Sequence, residues 1–396
     1  MKLLQWRAGI IRSLEERNVY TILYFLFVLL FFLSPNLRWH CNFYYALVIP
    51  IYLLTLEKKK IELFLGSGIW LIAMLLLVYL LLTILWVEDP GNKGTVYYLR
   101  KAVYVFVFFS LTMELIVRKP LFIKHFFYFL AWVGAGTVII SIIRFYCFSG
   151  FTLARLEYLA DQLRNPVLGG NLYGMIVVMI YFYIFKNSER SRRWIYGVLM
   201  IIITASILLT QSRGPVAALL TTFLICGLLT RDKKLLIVLA GVILMGTATL
   251  IYVKPVQDLA TKRGSSYRLE LAQKTIDMAS GNLLFGRGLT TKQQITADDG
   301  YLLYHPHSAY LGMVLYGGLT ALGLFCLLLA AALREGLKHY FLEKDVTFLA
   351  MALFGACAIL TTQDKIITHP HPLWFYFWLP LALLAGLSAL RKKGSR

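Results

Sequence analysis

Two short polar segments in an otherwise apolar chain hold the residue types best suited to chemistry. The segment 305–308 (His-Pro-His-Ser) precedes a long apolar run, and a neutral imidazole such as His307 is suited to accept a proton near neutral pH. The segment 211–215 (Gln-Ser-Arg-Gly-Pro) separates two apolar runs. Its Arg213 is either an interfacial charge that reaches toward water or a fixed ligand for phosphate. Both segments are predicted to start helices at one membrane surface.

A third candidate lies in the long polar segment 254–306. Serines at 265 and 266 and the glycine at 281 bracket a predicted helix over 267–280, with Arg268 in its first turn. Free N–H groups and the positive end of the helix dipole favour an anion there. Helical spacing predicts one apolar face, directed at the membrane or at the helix bundle, formed by Leu269, Ala272, Ile276 and Ala279.

The other polar residues give weaker signals. Arg155, Arg164 and Arg287 are each interpreted as solvated or headgroup-contacting arginines, with Arg164 and Arg287 kept, like His305, as secondary site candidates. Two His-Pro-His segments, at 305–307 and 369–371, together offer four nitrogens for zinc, but no Asp, Glu or Cys is spaced to complete a specific pattern. We therefore expect no metal and no cofactor, with a bound anion neutralised by arginines.

These segments must be positioned by a membrane-embedded fold. Of the 396 residues, 59% are hydrophobic and 15% are charged, with a mean hydropathy of +0.69, which excludes a water-soluble enzyme. The fold class expected is an all-α polytopic membrane protein with about twelve spans. The predicted spans are 19–33, 42–56, 63–87, 96–117, 125–149, 169–185, 194–210, 215–230, 235–253, 307–333, 346–362 and 373–390.

The distribution of lysine and arginine predicts the orientation. Every second connection is basic, as are both termini, so the positive-inside rule places both termini in the cytoplasm and requires an even number of spans. The net charge of +20 is then explained by topology, and nucleic-acid binding is excluded. Three regions result: spans 1–9 in residues 1–253, a large outer loop at 254–306, and spans 10–12 with a cytoplasmic tail at 307–396.

The order and sidedness of these motifs resemble the O-antigen ligase family. The shared features are about twelve spans, a large outer loop between the ninth and tenth, Ser-Arg-Gly at 212–214, an arginine in the loop helix, and the His-Ser-x9-Gly spacing of His307 to Gly318. Arg164-x3-Leu168 also resembles a short motif of these ligases. Ala321 departs from the family pattern, because Gly, Thr or Tyr often stands at that place.

This resemblance implies a metal-independent, inverting membrane glycosyltransferase with a GT-C-like fold and an active site on the periplasmic face of the bacterial inner membrane. The implied donor is a glycan on undecaprenyl pyrophosphate, and the implied acceptor is the outer-core sugar of lipid A-core. By motif, Arg213 and Arg268 would hold the pyrophosphate. His307 would be the base or the group that positions the acceptor.

Two alternatives remain open from the sequence. A polysaccharide polymerase would use a second lipid-linked glycan as acceptor with the same chemistry. A secondary transporter also fits twelve spans, but transporters place ionisable residues near the bilayer midplane, whereas the candidates here gather at one interface.

Overall fold

The computed structural model describes residues 18–87, 89–91, 93–150, 154–252, 268–292, 295–296, 302–303, 306–363 and 365–394. These residues form a predominantly helical protein. The helices are α1 (Val19–Leu33), α2 (Leu37–Leu54), α3 (Lys58–Leu65), α4 (Gly68–Trp86), α5 (Thr95–Arg118), α6 (Phe122–Phe148), α7 (Pro166–Phe185), α8 (Arg190–Leu209), α9 (Arg213–Thr230), α10 (Lys233–Tyr252), α11 (Arg268–Ser280), α12 (Ala309–Glu343), α13 (Thr347–Ala358) and α14 (Trp374–Lys393). A two-residue antiparallel ribbon pairs β1 (Ile295–Thr296) with β2 (Leu302–Leu303) and is a small exception to the all-α prediction.

Each of the twelve predicted apolar runs overlaps at least one of these helices, and the run 63–87 extends from the end of α3 through α4. By length and hydropathy, seven helices in the described part of the chain are suited to cross a membrane, or eight if α2 and α3, which meet at a 100° bend, form one span. α1 and α13 are apolar but shorter. The polytopic architecture is thus supported, while the count of twelve spans and the division into three regions stay predictions.

Hydrogen bonds between distant connections define one end of the bundle, called here the loop end. Asp161 N–H donates to Ser34 O at 3.2 Å, and Leu156 N–H donates to Leu209 O at 3.0 Å. In another pair of connections, Gly91 N–H donates to Thr290 O at 2.7 Å. The segments that the sequence assigns to the outer surface therefore meet in space.

The opposite end, called here the basic end, collects the lysine- and arginine-rich connections. Lys60 pairs with Glu114 at 2.9 Å, and Lys186 pairs with Asp232 at 3.2 Å. Arg391 pairs with Glu335. Segregation of the basic connections to the end away from the candidate site agrees with the predicted alternation, because successive helices run in opposite directions.

The core between the two ends is unusually aromatic. Phe27, Tyr44, Phe108 and Trp374 contact one another with ring centroids 4.4 to 6.2 Å apart, and all are at most 1% exposed. Edge-to-face and tilted ring pairs add about 0.5–1.5 kcal/mol each to the gain from burial. This aromatic cluster joins α1, α2, α5 and α14.

Candidate functional site

The turn that carries Arg213 is held by another arginine. The Arg155 guanidinium donates from Nε to Thr210 O at 3.0 Å and from Nη2 to Ser212 Oγ at 2.8 Å. Gln211 between these acceptors takes a left-handed backbone, with φ of 52°. Ser212 occupies the N-cap position of α9, so Arg213 is its first residue and its side chain is exposed. The sequence predicts a solvated or headgroup-contacting arginine at position 155, but in the structure the two hydrogen bonds of Arg155 hold this turn.

Close packing fixes the same turn against two other elements. A methyl group added to Gly214 would lie 2.5 Å from Thr361 Oγ1, and one added to Gly170 of α7 would lie 2.8 Å from Pro215 Cγ. The backbone next to Arg213 therefore approaches the turn 359–361 and α7 more closely than a side chain would allow. Glycine is needed at both contacts for this reason.

His307 lies just outside the helix that follows it. α12 starts at Ala309 with buried Ser308 at the N-cap position, whereas His307 is exposed and has a φ of 51°. The predicted start of this span at 307 is thus two residues early. Ala309 N–H, one of the free donors of the first helical turn, donates to Ile359 O at 3.0 Å.

The structure therefore attaches the two main motifs to one turn. Gly214, next to Arg213, packs on Thr361, and Ala309, two residues after His307, bonds to Ile359. The segments are almost a hundred residues apart in the chain, but they flank the same three residues. Joint action of the guanidinium and the imidazole on one ligand stays a prediction.

Arg287 belongs to a loop that crosses a break in α12. Gly318 has φ of 66° and ψ of −164° inside this helix, which interrupts its regular backbone pairing. Arg287 N–H donates to Leu315 O at 2.8 Å, and Gly288 N–H donates to Tyr316 O at 2.9 Å. The loop thus satisfies carbonyl groups freed by the break, and it holds half-buried Arg287 on the helix that starts beside His307.

Arg268 lies in the first turn of α11, as predicted, and it is exposed. On the predicted apolar face, Ala279 is buried, whereas Leu269 and Ile276 are 76% and 48% exposed. The helix bundle therefore does not cover these two residues, and their contact with the membrane stays a prediction. The buried residues are Leu271, Thr275 and Ala279, along the side that packs on α12. The approach of Arg268 to Arg213 and His307 stays a prediction.

The remaining candidates are placed less centrally. The Arg164 side chain is 55% exposed and lies 3.8 Å from Asp161. It lines a cavity of about 160 Å³ together with Arg144 and Glu157. His305 lies outside the described residues.

Lys365 is a half-buried cation at the loop end, in the segment between α13 and α14. Its Nζ donates to Tyr98 Oη at 2.7 Å and to Leu289 O at 3.1 Å, and it lies 4.4 Å from the Tyr316 ring centroid. It thereby joins α5, the Arg287 loop and α12. No local signal predicts this role, since each partner is more than 45 residues away in sequence.

The histidines of the second His-Pro-His segment, His369 and His371, are largely buried and hydrogen-bonded to neighbouring residues. Burial and then the nearby Lys101 charge lower the pKa of His369 to about 4, and burial with the His369 and Lys101 charges lowers the pKa of His371 well below its ordinary value. Leu373 N–H donates to His371 Nδ1 at 3.2 Å, and the Gln363 amide contacts Nε2 at 3.0 Å. Both imidazoles are therefore neutral at pH 7. Within the described ranges, which omit His305, no three His, Cys, Asp or Glu side chains cluster as metal ligands.

The part of the chain that holds most of these residues is similar to known proteins. Residues 198–326 match the sequence model of a family described as O-Antigen ligase, and this range includes Arg213, Arg268, Arg287, His305 and His307. The chain is also 24% identical over 367 residues to the O-antigen ligase of Pseudomonas aeruginosa, which covers 90% of this chain and 87% of the relative. The resemblance to the O-antigen ligase family that the sequence motifs predict is therefore confirmed, with the family region at residues 198–326 and similarity along most of the chain.

Proposed function

We propose that this protein is a membrane glycosyltransferase that joins a lipid-linked O-antigen glycan to lipid A-core. The donor would be a glycan on undecaprenyl pyrophosphate, and the acceptor would be a hydroxyl of the outer-core sugar. Transfer would take place at the periplasmic face of the bacterial inner membrane, with both termini of the chain in the cytoplasm. Membrane lipids surround the protein, and neither a cofactor nor a nucleic acid is involved.

The observation that carries this proposal is the attachment of the Arg213 turn and the His307 segment to the same turn, 359–361. A lipid diphosphate needs permanent cations at the membrane surface, and a sugar hydroxyl needs a proton acceptor beside them. The shared turn supplies a physical reason for both groups to face one substrate. The Arg287 loop on α12 adds another cation to this end of the bundle.

The proposed mechanism is a single displacement at the anomeric carbon. His307 takes the proton of the acceptor hydroxyl as its oxygen attacks, and the bond from the anomeric carbon to the diphosphate oxygen breaks with its electron pair. Arg213 and Arg268 stabilise the charge that develops on the leaving diphosphate, with Arg287 and Arg164 as secondary contacts. Attack from the face opposite the leaving group inverts the anomeric configuration. The pyrophosphate already activates the sugar, so no nucleotide is consumed.

The deciding experiment is transfer by the purified full-length chain in detergent, with a defined undecaprenyl-pyrophosphate glycan as donor. Lipid A-core, a second lipid-linked glycan and no acceptor form the three arms. We expect product only with lipid A-core, with inverted linkage by NMR and an undiminished rate in EDTA. Product from the second glycan alone would identify a polymerase, and no transfer in any arm would favour the transporter. Loss of activity in EDTA that zinc restores would refute the metal-free mechanism.

A further inference from the structure

A second charged cavity lies at the basic end, on the opposite side of the bundle from the candidate site. It has a volume of about 830 Å³ and is bounded by the start of α1, by α3, by the end of α5 and by the end of α14. That volume is in the range of small-molecule sites, which span about 300–1,000 Å³. The proposed transfer reaction assigns nothing to this cavity.

The charges around this cavity are unbalanced. Two carboxylates, Glu62 and Glu114, stand against a larger set of cations, which are Lys59, Lys60, Arg118, Lys119, Lys392 and Lys393. Side chains such as Leu63, Leu111 and Leu115 complete an apolar wall. A basic rim over an apolar wall matches a ligand that has an anionic head and a hydrocarbon tail.

The floor of the cavity is an ion network around buried Glu114, in which Lys60 is buried too and the Arg118 side chain is 35% exposed. Lys60 lies 2.9 Å from Glu114, with side-chain exposures of 1% and 5%, and Arg118 lies 3.1 Å from the same carboxylate oxygen. Lys60 also lies 5.1 Å from the Tyr20 ring centroid. One buried carboxylate shared by two cations leaves excess positive charge in a low-dielectric setting, where an anion binds more strongly than it does in water.

The cations at the rim are more available than those in the floor. Lys392 donates to Gly66 O at 2.8 Å, and Lys119 donates to Asn18 Oδ1 at 2.6 Å. Lys59 and Lys393 are exposed, and neither side chain forms an ion pair or hydrogen bond with another described residue. The preceding segment 1–17 is no charge complement for them, because it holds four Lys or Arg residues and two Glu residues.

We propose that this cavity binds the phosphodiester headgroup of an anionic phospholipid, with its acyl chains along the apolar wall. Basic pockets between transmembrane helices on the cytoplasmic side are suited to such lipids. The phosphate contacts the lysines of the rim, which are Lys59, Lys119, Lys392 and Lys393. The Lys60–Glu114–Arg118 network holds α3 and α5 in place beneath it. The lipid joins α1, α3, α5 and α14 at the end where the chain bends by 100°.

Native mass spectrometry of the full-length protein in detergent tests this proposal with cardiolipin, phosphatidylglycerol and phosphatidylcholine as probes. We expect retention of the two anionic lipids and at least tenfold weaker binding of phosphatidylcholine. The variant Lys59→Gln/Lys393→Gln should bind cardiolipin about 25-fold more weakly, from about fivefold per basic residue. The variant Lys59→Arg/Lys393→Arg should retain the affinity, because it keeps both charges.

The matched control is Lys233→Gln/Lys234→Gln, which removes two exposed lysines at the start of α10, outside the cavity. It should change cardiolipin affinity by less than twofold. Equal losses in the two glutamine variants, or equal binding of phosphatidylcholine, would overturn the proposal. Displacement of cardiolipin by millimolar inorganic phosphate would also overturn it, since a free-phosphate site has no need of the apolar wall. Unchanged melting temperatures without lipid will show that both variants are folded.

Discussion

The backbone of Gly286 lies directly against the backbone of Gly318. Both residues have positive φ, 72° and 66°, and a Cβ atom added to either one would overlap main-chain atoms of the other segment. Leu319 N–H donates to Leu283 O at 2.9 Å across the same contact. The glycine at the end of the His-Ser-x9-Gly motif is thus the place where the Arg287 loop docks on α12.

Gly318→Ala is expected to undo this docking. Its strained backbone would cost about 1–3 kcal/mol before any overlap is counted, so we expect a clear fall in melting temperature and loss of glycan transfer. Gly323→Ala is the control in the same helix, because a Cβ atom there meets no atom within 4 Å. Alanine stabilises a helix interior by about 0.5–1 kcal/mol relative to glycine. Equal effects of the two substitutions on thermal unfolding would contradict this role.

His307→Ala is expected to lower the transfer rate by about 10²–10⁴-fold, the range for loss of a general base. The protein should keep its melting temperature, because the His307 side chain is exposed. His307→Gln separates the two roles that the sequence leaves open, since glutamine orients a hydroxyl without accepting its proton. A rate within threefold of wild type for His307→Gln would favour positioning. His125→Ala, on an exposed residue of α6, is the control.

Arg213→Lys and Arg268→Lys keep the charge but remove the planar pair of donors that grips phosphate. Each is expected to lower transfer by about 10- to 100-fold, corresponding to about 1.5–3 kcal/mol for a charged hydrogen bond. Initial rates at varied donor concentration measure the loss. Arg190→Lys, at the exposed start of α8, should be silent. Full activity of either site variant would remove that arginine from the proposed diphosphate site.

Arg155→Met is expected to reduce transfer without touching substrate, because it releases the turn that sets the position of Arg213. The donor KM should rise clearly, while the melting temperature should fall only slightly. Arg155→Lys should restore part of the activity through one of the two hydrogen bonds. Arg38→Lys, on an exposed arginine of the loop end, is the control. A fall in melting temperature with an unchanged KM would reduce Arg155 to a purely structural role.

Acid should destabilise the loop end through His369 and His371. Their folded-state pKa values lie below the ordinary 6.5, so between pH 6.5 and about 4 the unfolded chain binds protons that the folded chain excludes. The contribution of the two neutral histidines to the free energy of unfolding is fully present above pH 6.5, and it is lost as the pH falls toward 4. The melting temperature of His369→Gln/His371→Gln should therefore fall less than that of wild type between pH 7.5 and 5. Parallel curves for the two proteins would show that these residues contribute nothing.

The sequence by itself determined the features that depend on neighbours along the chain. Hydropathy located the helices, and serine and glycine signals placed α11 with Arg268 in its first turn. The alternation of basic connections predicted which segments share an end, and the hydrogen bonds at the loop end agree. Motif order also predicted the family, since spacing between motifs is a property of the chain alone.

Only the tertiary structure decided which polar groups meet. Three contacts join residues that lie 32 to 267 positions apart in the chain. They are the hydrogen bond from Arg155 to Ser212, the bonds of Lys365 to Tyr98 and Leu289, and the contact between Gly286 and Gly318. Such pairs produce no periodic pattern in the sequence, because each depends on how whole helices pack. The packing of α11 shows the same limit: helical spacing leaves membrane and bundle open for the face with Leu269 and Ile276, and contact with α12 buries Leu271, Thr275 and Ala279.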